Sequence, residues 1–188
     1  MREVIVLVGP RASGKSSFCE RVVAFDPSIV LVSRDAILTE LFGGTLLDSY
    51  SGGHGYALER IWEIVESRLK SSSQSKTILD TWNGSSDDRL RITRKLRHLG
   101  ADRITAWYFV TPVQYVEQWF WKKPGIAKMQ EMRERQGQGL TFFSEDAPRR
   151  DYKLFHDMAS RVASDGFDTL VRINPLVMGP EQALGLRK

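Results

Sequence analysis

The octapeptide Gly9-Pro10-Arg11-Ala12-Ser13-Gly14-Lys15-Ser16 constrains this chain more than any other feature. It matches G-x-x-x-x-G-K-[ST] at every required position. It also lies between an apolar run, Glu3 to Val8, and an amphipathic segment, Ser17 to Phe25. A strand, a glycine-rich turn and a helix in that order form a P-loop, in which backbone N–H groups and the helix N-terminus make a concave anion site. Gly9 lets the chain turn off the strand, and Gly14 lets the backbone approach a phosphate without a Cβ in the way. Lys15 reaches the β- and γ-phosphates and Ser16 offers a hydroxyl to Mg²⁺. The expected contacts to a nucleoside triphosphate are Gly9, Arg11, Ala12, Ser13, Gly14, Lys15, Ser16 and Ser17.

The remainder alternates short β-rich runs with amphipathic segments, which argues for βα units and a parallel sheet. Glu3–Val8, Ile29–Ser33, Thr77–Asp80, Ile104–Val110 and Thr169–Ile173 read as five strands. Helices are expected over Asp35–Phe42 with Ser33 as N-cap, and over Tyr56–Lys70 with Leu58, Ile61, Trp62, Val65 and Leu69 on one stripe. Further helices are expected over Asp87–Leu99, from Pro112 toward Trp121, and over Pro148–Ser164 with Leu154, Phe155, Met158 and Val162 inward. Gly43 to Gly55 reads as a glycine-rich loop, and the tail from Asn174 as loosely ordered. At 188 residues the chain is expected to be a single α/β domain spanning 1–188.

Cys19 is the only cysteine, which excludes an intrachain disulfide and suits a cytoplasmic protein, the host cytoplasm if phage-encoded. No run approaches the roughly 18 apolar residues of a membrane span, and MREVIVLVGP reads as a core strand rather than a leader. No residues have zinc-ligand spacing. Net charge is +4, with basic clusters at Arg89 to Arg103 and at Lys122 to Arg135. Such clusters suit either solvated helix faces or a surface for phosphates.

Residues just past strand C-termini line the ligand crevice of an open parallel sheet. Asp35 follows the second strand and Asp80 ends the third. Asp35 can take the proton of an attacking hydroxyl, or it can simply favour the positive end of its helix. Asp80 can hold Mg²⁺ through water or orient the acceptor, or it can form a turn. The basic, glycine-containing stretch at about 122–144 reads as a lid, with Lys123, Arg133 and Arg135 as candidates to reach the phosphates. Among the aromatics near it, Trp119 reads as core and Phe142 and Phe143 as possible base-stacking groups.

GPRASGKSS, then SRDAI, then TILDTWNGSSDDRLR resembles the kinase domain of phage-type polynucleotide 5′-hydroxyl kinases. The resemblance covers roughly Glu3 to Val110 and returns near Ala147 to Met158; the SRD and DTWN elements carry its specificity. It implies a P-loop kinase fold, with a parallel five-stranded sheet flanked by helices and a basic helical lid. It implies ATP and Mg²⁺, catalysis by Lys15, Asp35 as general base and Asp80, and metal contacts from Ser16 and Asp80. Lys123 would stand for the family's lid arginine, and Arg34, Leu38, Thr81, Asn83 and Arg89 would face the acceptor. The family often has an arginine one turn after the aspartate, where this chain has Leu38. The implied partner is nucleic acid, phosphorylated at a 5′-hydroxyl or at a hydroxymethylated base such as 5-hydroxymethyluracil in phage DNA. The same motifs also serve a small-molecule kinase for a nucleoside, sugar or antibiotic, or a non-catalytic nucleotide-dependent binding module.

Overall fold

The computed structural model describes residues 1–45, 53–123, 126, 144–157 and 159–186. Strands β1 (Arg2–Val8), β2 (Val30–Ser33), β3 (Ser75–Asp80), β4 (Arg103–Phe109) and β5 (Thr169–Ile173) form one parallel sheet in the order β2-β3-β1-β4-β5. Each strand lies within two residues of its expected bounds. Successive side chains of β1 point to opposite faces, and both faces are covered. Ile5 and Leu7 pack with Phe18, Cys19 and Val22 of α1 (Lys15–Phe25). Val4 and Val6 pack with Leu38 of α2 (Arg34–Phe42), Ile61 and Val65 of α3 (Gly53–Ser71), and Leu96 of α4 (Ser86–His98). A strand covered on both faces has no polar side, which is why β1 reads as an unbroken apolar run.

This order places β1 and its P-loop in the middle of the sheet. The β2–β3 register sets Ser33 beside Asp80, so the two strands end level with each other. Asp35, two residues beyond Ser33, is thereby brought to the same edge as Asp80 and the P-loop. Ser33 caps α2 as expected, its Oγ accepting from the Ala36 N–H at 3.4 Å. The remaining elements are α5 (Val113–Lys122), α6 (Ala147–Asp157), α7 (Ala159–Val162) and α8 (Pro180–Ala183). Among the described residues no helix is long and apolar enough to cross a membrane.

The structure corrects four expectations. Leu58 is 40% exposed, because the buried stripe of α3 runs through Gly53, Ala57, Ile61, Val65 and Leu69 at strict four-residue spacing. The loop after α2 ends sooner than expected, since α3 already begins at Gly53; residues 46–52 lie outside the described set. Leu154 is 40% exposed while Phe155 and Val162 are buried, and Met158 falls outside the described residues. The tail is ordered: Met178 N–H donates to the Asn174 carbonyl at 2.9 Å, Gly179 N–H donates to Gln182 Oε1 at 3.1 Å, and Ala183 is buried against the core that α1 covers.

The basic helix α4 is largely spent on structure. Ser85 caps it, Asp87 and Asp88 sit in its first turn, and Lys95, Arg97 and His98 lie in its last, a distribution that complements the helix dipole. Arg91 pairs with Asp88 at 2.6 Å, and Arg97 pairs with Asp168. Arg89 is fully buried and its Nε donates to Asp165 Oδ2 at 2.5 Å, where Asp165 is also bonded by Ser86. Removing one partner of a buried pair strands the other charge, at a cost of about 3–5 kcal/mol. Asp165→Ala should lower unfolding free energy in urea by about that amount. A loss no larger than that of an exposed-site control such as Asp87→Ala would show that Arg89 does not depend on this partner.

Candidate active site

The site begins with backbone that leaves no room for side chains. A Cβ on Gly9 would come within 2.9 Å of Phe109 Cβ, and one on Gly14 within 3.2 Å of both Pro175 Cγ and Trp119 Cζ3. Gly14 has φ 83°, and Ala12 adopts the left-handed region at φ 59°, which is uncommon for a residue with a Cβ. Side chains from neighbouring strand ends hold this loop and the strand that leads into it. Thr111 Oγ1 donates to the Ser13 carbonyl at 2.7 Å, and Asn83 Nδ2 donates to the Leu7 carbonyl at 2.7 Å and to that of Thr81 at 3.2 Å.

Lys15 curls back over the loop that carries it. Its ammonium donates to the carbonyls of Gly9 (2.9 Å) and Pro10 (2.7 Å) and lies 3.5 Å from Ser13 Oγ. Burial pulls its pKa down to about 8, opposed by the nearby charge of Asp80 and reinforced by that of Lys123. Burial likewise raises Asp80 above the usual carboxylate range, against the pull of Lys15. Buried Cys19, behind the loop, has its thiol pushed up by burial too, which makes it inert packing.

A cavity of about 890 Å³ runs over these groups. It is lined by Gly9, Arg11, Ala12, Gly14, Lys15, Ser16 and Ser17 of the P-loop, and by Arg34, Asp35, Asp80, Thr81, Asn83 and Lys123. These were all expected at the site. Asp35 is half exposed and pairs with Arg34 at 3.0 Å. Three expected contacts do not line the cavity. Ser13 is 1% exposed and shapes the loop from within. Leu38 is fully buried in the core between α2 and the sheet, so it makes no acceptor contact; a cation there would sit in apolar surroundings. Arg89 is fully buried against Asp165, and it also donates to the Asn83 carbonyl at 3.0 Å. Arg133, Arg135, Phe142 and Phe143 lie outside the described residues, as does most of the expected lid.

The structure also adds residues that local sequence reading missed. Arg11 forms a two-pronged pair with Asp151 of α6, at 2.5 and 3.0 Å, and its guanidinium lies 5.8 Å from the Trp82 ring and 5.7 Å from that of Phe120. A separation of 140 positions hides the pairing of Arg11 with Asp151 from any local motif. Trp119, expected in the core, is only partly buried and lines the cavity, as do Trp82, Phe155, Pro175 and Leu176. Arg21 of α1 donates to the Pro175 carbonyl at 3.1 Å, tying the segment after β5 to the P-loop helix.

Among the described residues no cluster of three or more His, Cys, Asp or Glu side chains could hold a metal by itself. The donor set instead fits Mg²⁺, which typically takes one or two protein ligands together with a substrate's phosphates. Exposed Ser16 and the Asp80 carboxylate, beside the loop that would cradle those phosphates, are the groups that would hold it.

Residues 4–136 match the model of the AAA domain family. No curated protein matches the chain. Among solved structures, a chain of the Pnkp1/Rnl/Hen1 RNA repair complex superposes with a TM-score of 0.60 at 20% identity, covering 85% of this chain and 46% of that one. This chain therefore spans less than half the length of that protein. A fungal RNA kinase superposes with a TM-score of 0.54 at 14% identity, covering 97% of this chain and 79% of its own. A shikimate kinase from Acinetobacter baumannii superposes with a TM-score of 0.53 at 14% identity, covering 99% and 90%. The fold is thus the P-loop kinase fold, a five-stranded parallel sheet flanked by helices, and it is shared by structures whose names carry RNA and small-molecule acceptors alike.

The depressed Lys15 gives a pH signature to triphosphate binding. Below about pH 8 the ammonium is already charged; above it the free protein holds increasingly neutral lysine, which must take up a proton to meet a polyphosphate. ATP affinity should therefore fall as pH rises above about 8, by up to about tenfold per pH unit. Calorimetry at pH 9 in buffers of different ionisation enthalpy should show uptake approaching one proton per ATP. Zero uptake would mean that Lys15 does not change charge on binding.

Proposed function

The chain belongs to the AAA domain family, and from that premise we propose that it is an ATP-dependent kinase whose acceptor is a hydroxyl on nucleic acid. The observation that supports this reading is that Lys15, Ser16, Asp35 and Asp80 line one cavity, as the two halves of a phosphoryl-transfer site would. Lys15 and Ser16 form the donor half at the end of β1. Asp35 and Asp80 form the acceptor half at the level ends of β2 and β3. A P-loop in a binding module or switch has no need of an exposed carboxylate on the acceptor side.

Each group then has a role. The P-loop N–H groups and Lys15 hold the triphosphate and neutralise charge that builds on the transferred group. Mg²⁺, when bound, would screen the β- and γ-phosphates beside Ser16 and Asp80. Asp35, half exposed at the mouth, accepts the proton of the attacking hydroxyl; its contact with Arg34 gives way to the acceptor as the complex forms. Lys123, whose charge is felt by both Lys15 and Asp80, is the described residue that stands where a lid cation is needed.

Nucleic acid is favoured by charge. The cavity wall carries six cations, Arg11, Lys15, Arg21, Arg34, Lys122 and Lys123, against three carboxylates, Glu20, Asp35 and Asp80. With Leu38 withdrawn into the core, Arg34 is the cation on the acceptor side that can grip a backbone phosphate. The likeness to chains named for RNA repair and RNA kinase activity points the same way. A 5′-hydroxyl is the acceptor proposed, and a hydroxymethyl group on a base in phage DNA is the variant that needs the same chemistry.

Incubation with γ-labelled ATP should label 5′-hydroxyl oligonucleotides or a hydroxymethyluracil duplex. Asp35→Asn should slow that transfer by about 10²–10⁴-fold while ATP affinity stays within about twofold. Transfer at the wild-type rate in Asp35→Asn would remove Asp35 from the mechanism. Absence of label from both polymers, with label appearing in a nucleoside, sugar or antibiotic, would make the protein a small-molecule kinase.

A further inference from the structure

The cavity is lined by residues that follow both outer strands of the sheet. Pro175 and Leu176 follow β5 at one end, and Asp35 follows β2 at the other. Those strands are four spacings apart, roughly 19 Å at about 4.8 Å per strand. The P-loop occupies the centre, so the region past β3 is left for the acceptor. Trp82 stands there, two residues beyond Asp80, with 39% of its surface exposed to solvent and the cavity.

An exposed tryptophan is ordinarily free to change rotamer. This one is seated. Phe155 of α6 meets it in a perpendicular contact, with ring centroids 5.7 Å apart at 87°. The Arg11 guanidinium, itself held by Asp151, lies 5.8 Å from its centroid. Gly84 lies so near that a Cβ there would come within 2.6 Å of Trp82 Cζ2. Asn83, which separates Trp82 from Gly84 in sequence, is anchored to the end of β1. Three elements thus fix a large aromatic surface in place while part of it stays open beside the acceptor carboxylates. Packing alone would not require that open face, because burying it would be more favourable.

We propose that Trp82 is the platform on which the nucleobase carrying or adjoining the acceptor hydroxyl stacks, and so a specificity-determining residue of this site. The proposal rests on the nucleic-acid reading above and deepens it. Stacking on an aromatic ring is tolerant of base identity, so the site would take any terminal base while rejecting an acceptor that lacks one. The cationic wall supplies the second half of recognition, since a flat ring joined to a phosphodiester satisfies both Trp82 and Arg34. The pre-set ring lowers the ordering cost that a flexible loop would pay on binding.

The test uses the full chain with two 5′-hydroxyl oligonucleotides of equal length, one with an ordinary 5′-terminal nucleotide and one with an abasic sugar at that position. For the wild type, the abasic acceptor should show a KM about tenfold higher. Trp82→Ala should raise KM for the base-bearing acceptor by a similar factor, add no more than twofold on the abasic one, and leave the KM for ATP in place. Trp82→Phe should recover most of the loss. An equal rise on both acceptors would make Trp82 a structural support and overturn the platform. So would an unchanged KM for the base-bearing acceptor in Trp82→Ala. If the wild type labels neither oligonucleotide, the 5′-hydroxyl reading itself falls and the platform with it, an outcome distinct from selective failure of the variants.

Discussion

The structure turns on keeping one lysine ammonium poorly hydrated beside a carboxylate. Lys15 is wrapped by the carbonyls of Gly9 and Pro10, and Asp80 opposes its loss of charge. A cation so placed is unfavourable by itself; it is tolerable because backbone oxygens take the place of water. The arrangement demands a loop whose carbonyls converge, and that loop demands glycine at positions packed against Phe109, Pro175 and Trp119. Those neighbours come from β4, from the segment after β5 and from α5, so the elements on that side of the sheet are committed to the geometry of one side chain. Polyphosphate would exchange weak carbonyl partners for anionic ones, which makes the free site poised for its ligand.

Similar constraints act at the ends of β2 and β3. The register of β2 on β3 sets Ser33 beside Asp80, and it delivers Asp35 and Asp80 to one edge. Asn83 then couples that edge to the P-loop by bonding the end of β1, and Arg89 and Asp165 hold the Asn83 segment from below. A buried ion pair away from the cavity wall is therefore tied to the site through the Asn83 carbonyl.

The sequence made the donor half legible because its chemistry needs fixed residue types at fixed spacing in a contiguous segment. The strands were legible for a related reason: a parallel sheet covered on both faces leaves continuous apolar runs. Legibility failed where the deciding partner was remote. Arg89 sits in a basic helix and looks like a phosphate contact, yet Asp165, 76 residues later, takes it out of reach. Arg11 looks like a free P-loop arginine until Asp151 appears beside it. Leu38 occupies a position where the resembling family often carries arginine, but its face of α2 points into the core, where Val32, Ile61 and Leu79 pack. The ordered tail was missed because a four-residue helix held by Gln182 and Asn174 has too little periodicity to announce itself.

Arg11 then links the two halves in a way that neither motif suggests. Its guanidinium is flat, and it is held in one plane by the paired oxygens of Asp151. That leaves its faces to meet aromatic rings, and Trp82 and Phe120 lie at nearly equal distances from it. Phe120 belongs to α5, which leads toward the expected lid, and Asp151 belongs to α6, which follows it. Trp82 follows the end of β3, and Arg11 itself belongs to the P-loop. Any displacement of α5 or α6 is therefore felt at the third residue of the P-loop and at Trp82 together. A substitution at Arg11 would not simply remove a phosphate contact; it would uncouple those elements, which is why its effect on donor and acceptor binding should be inseparable where that of Trp82 is selective.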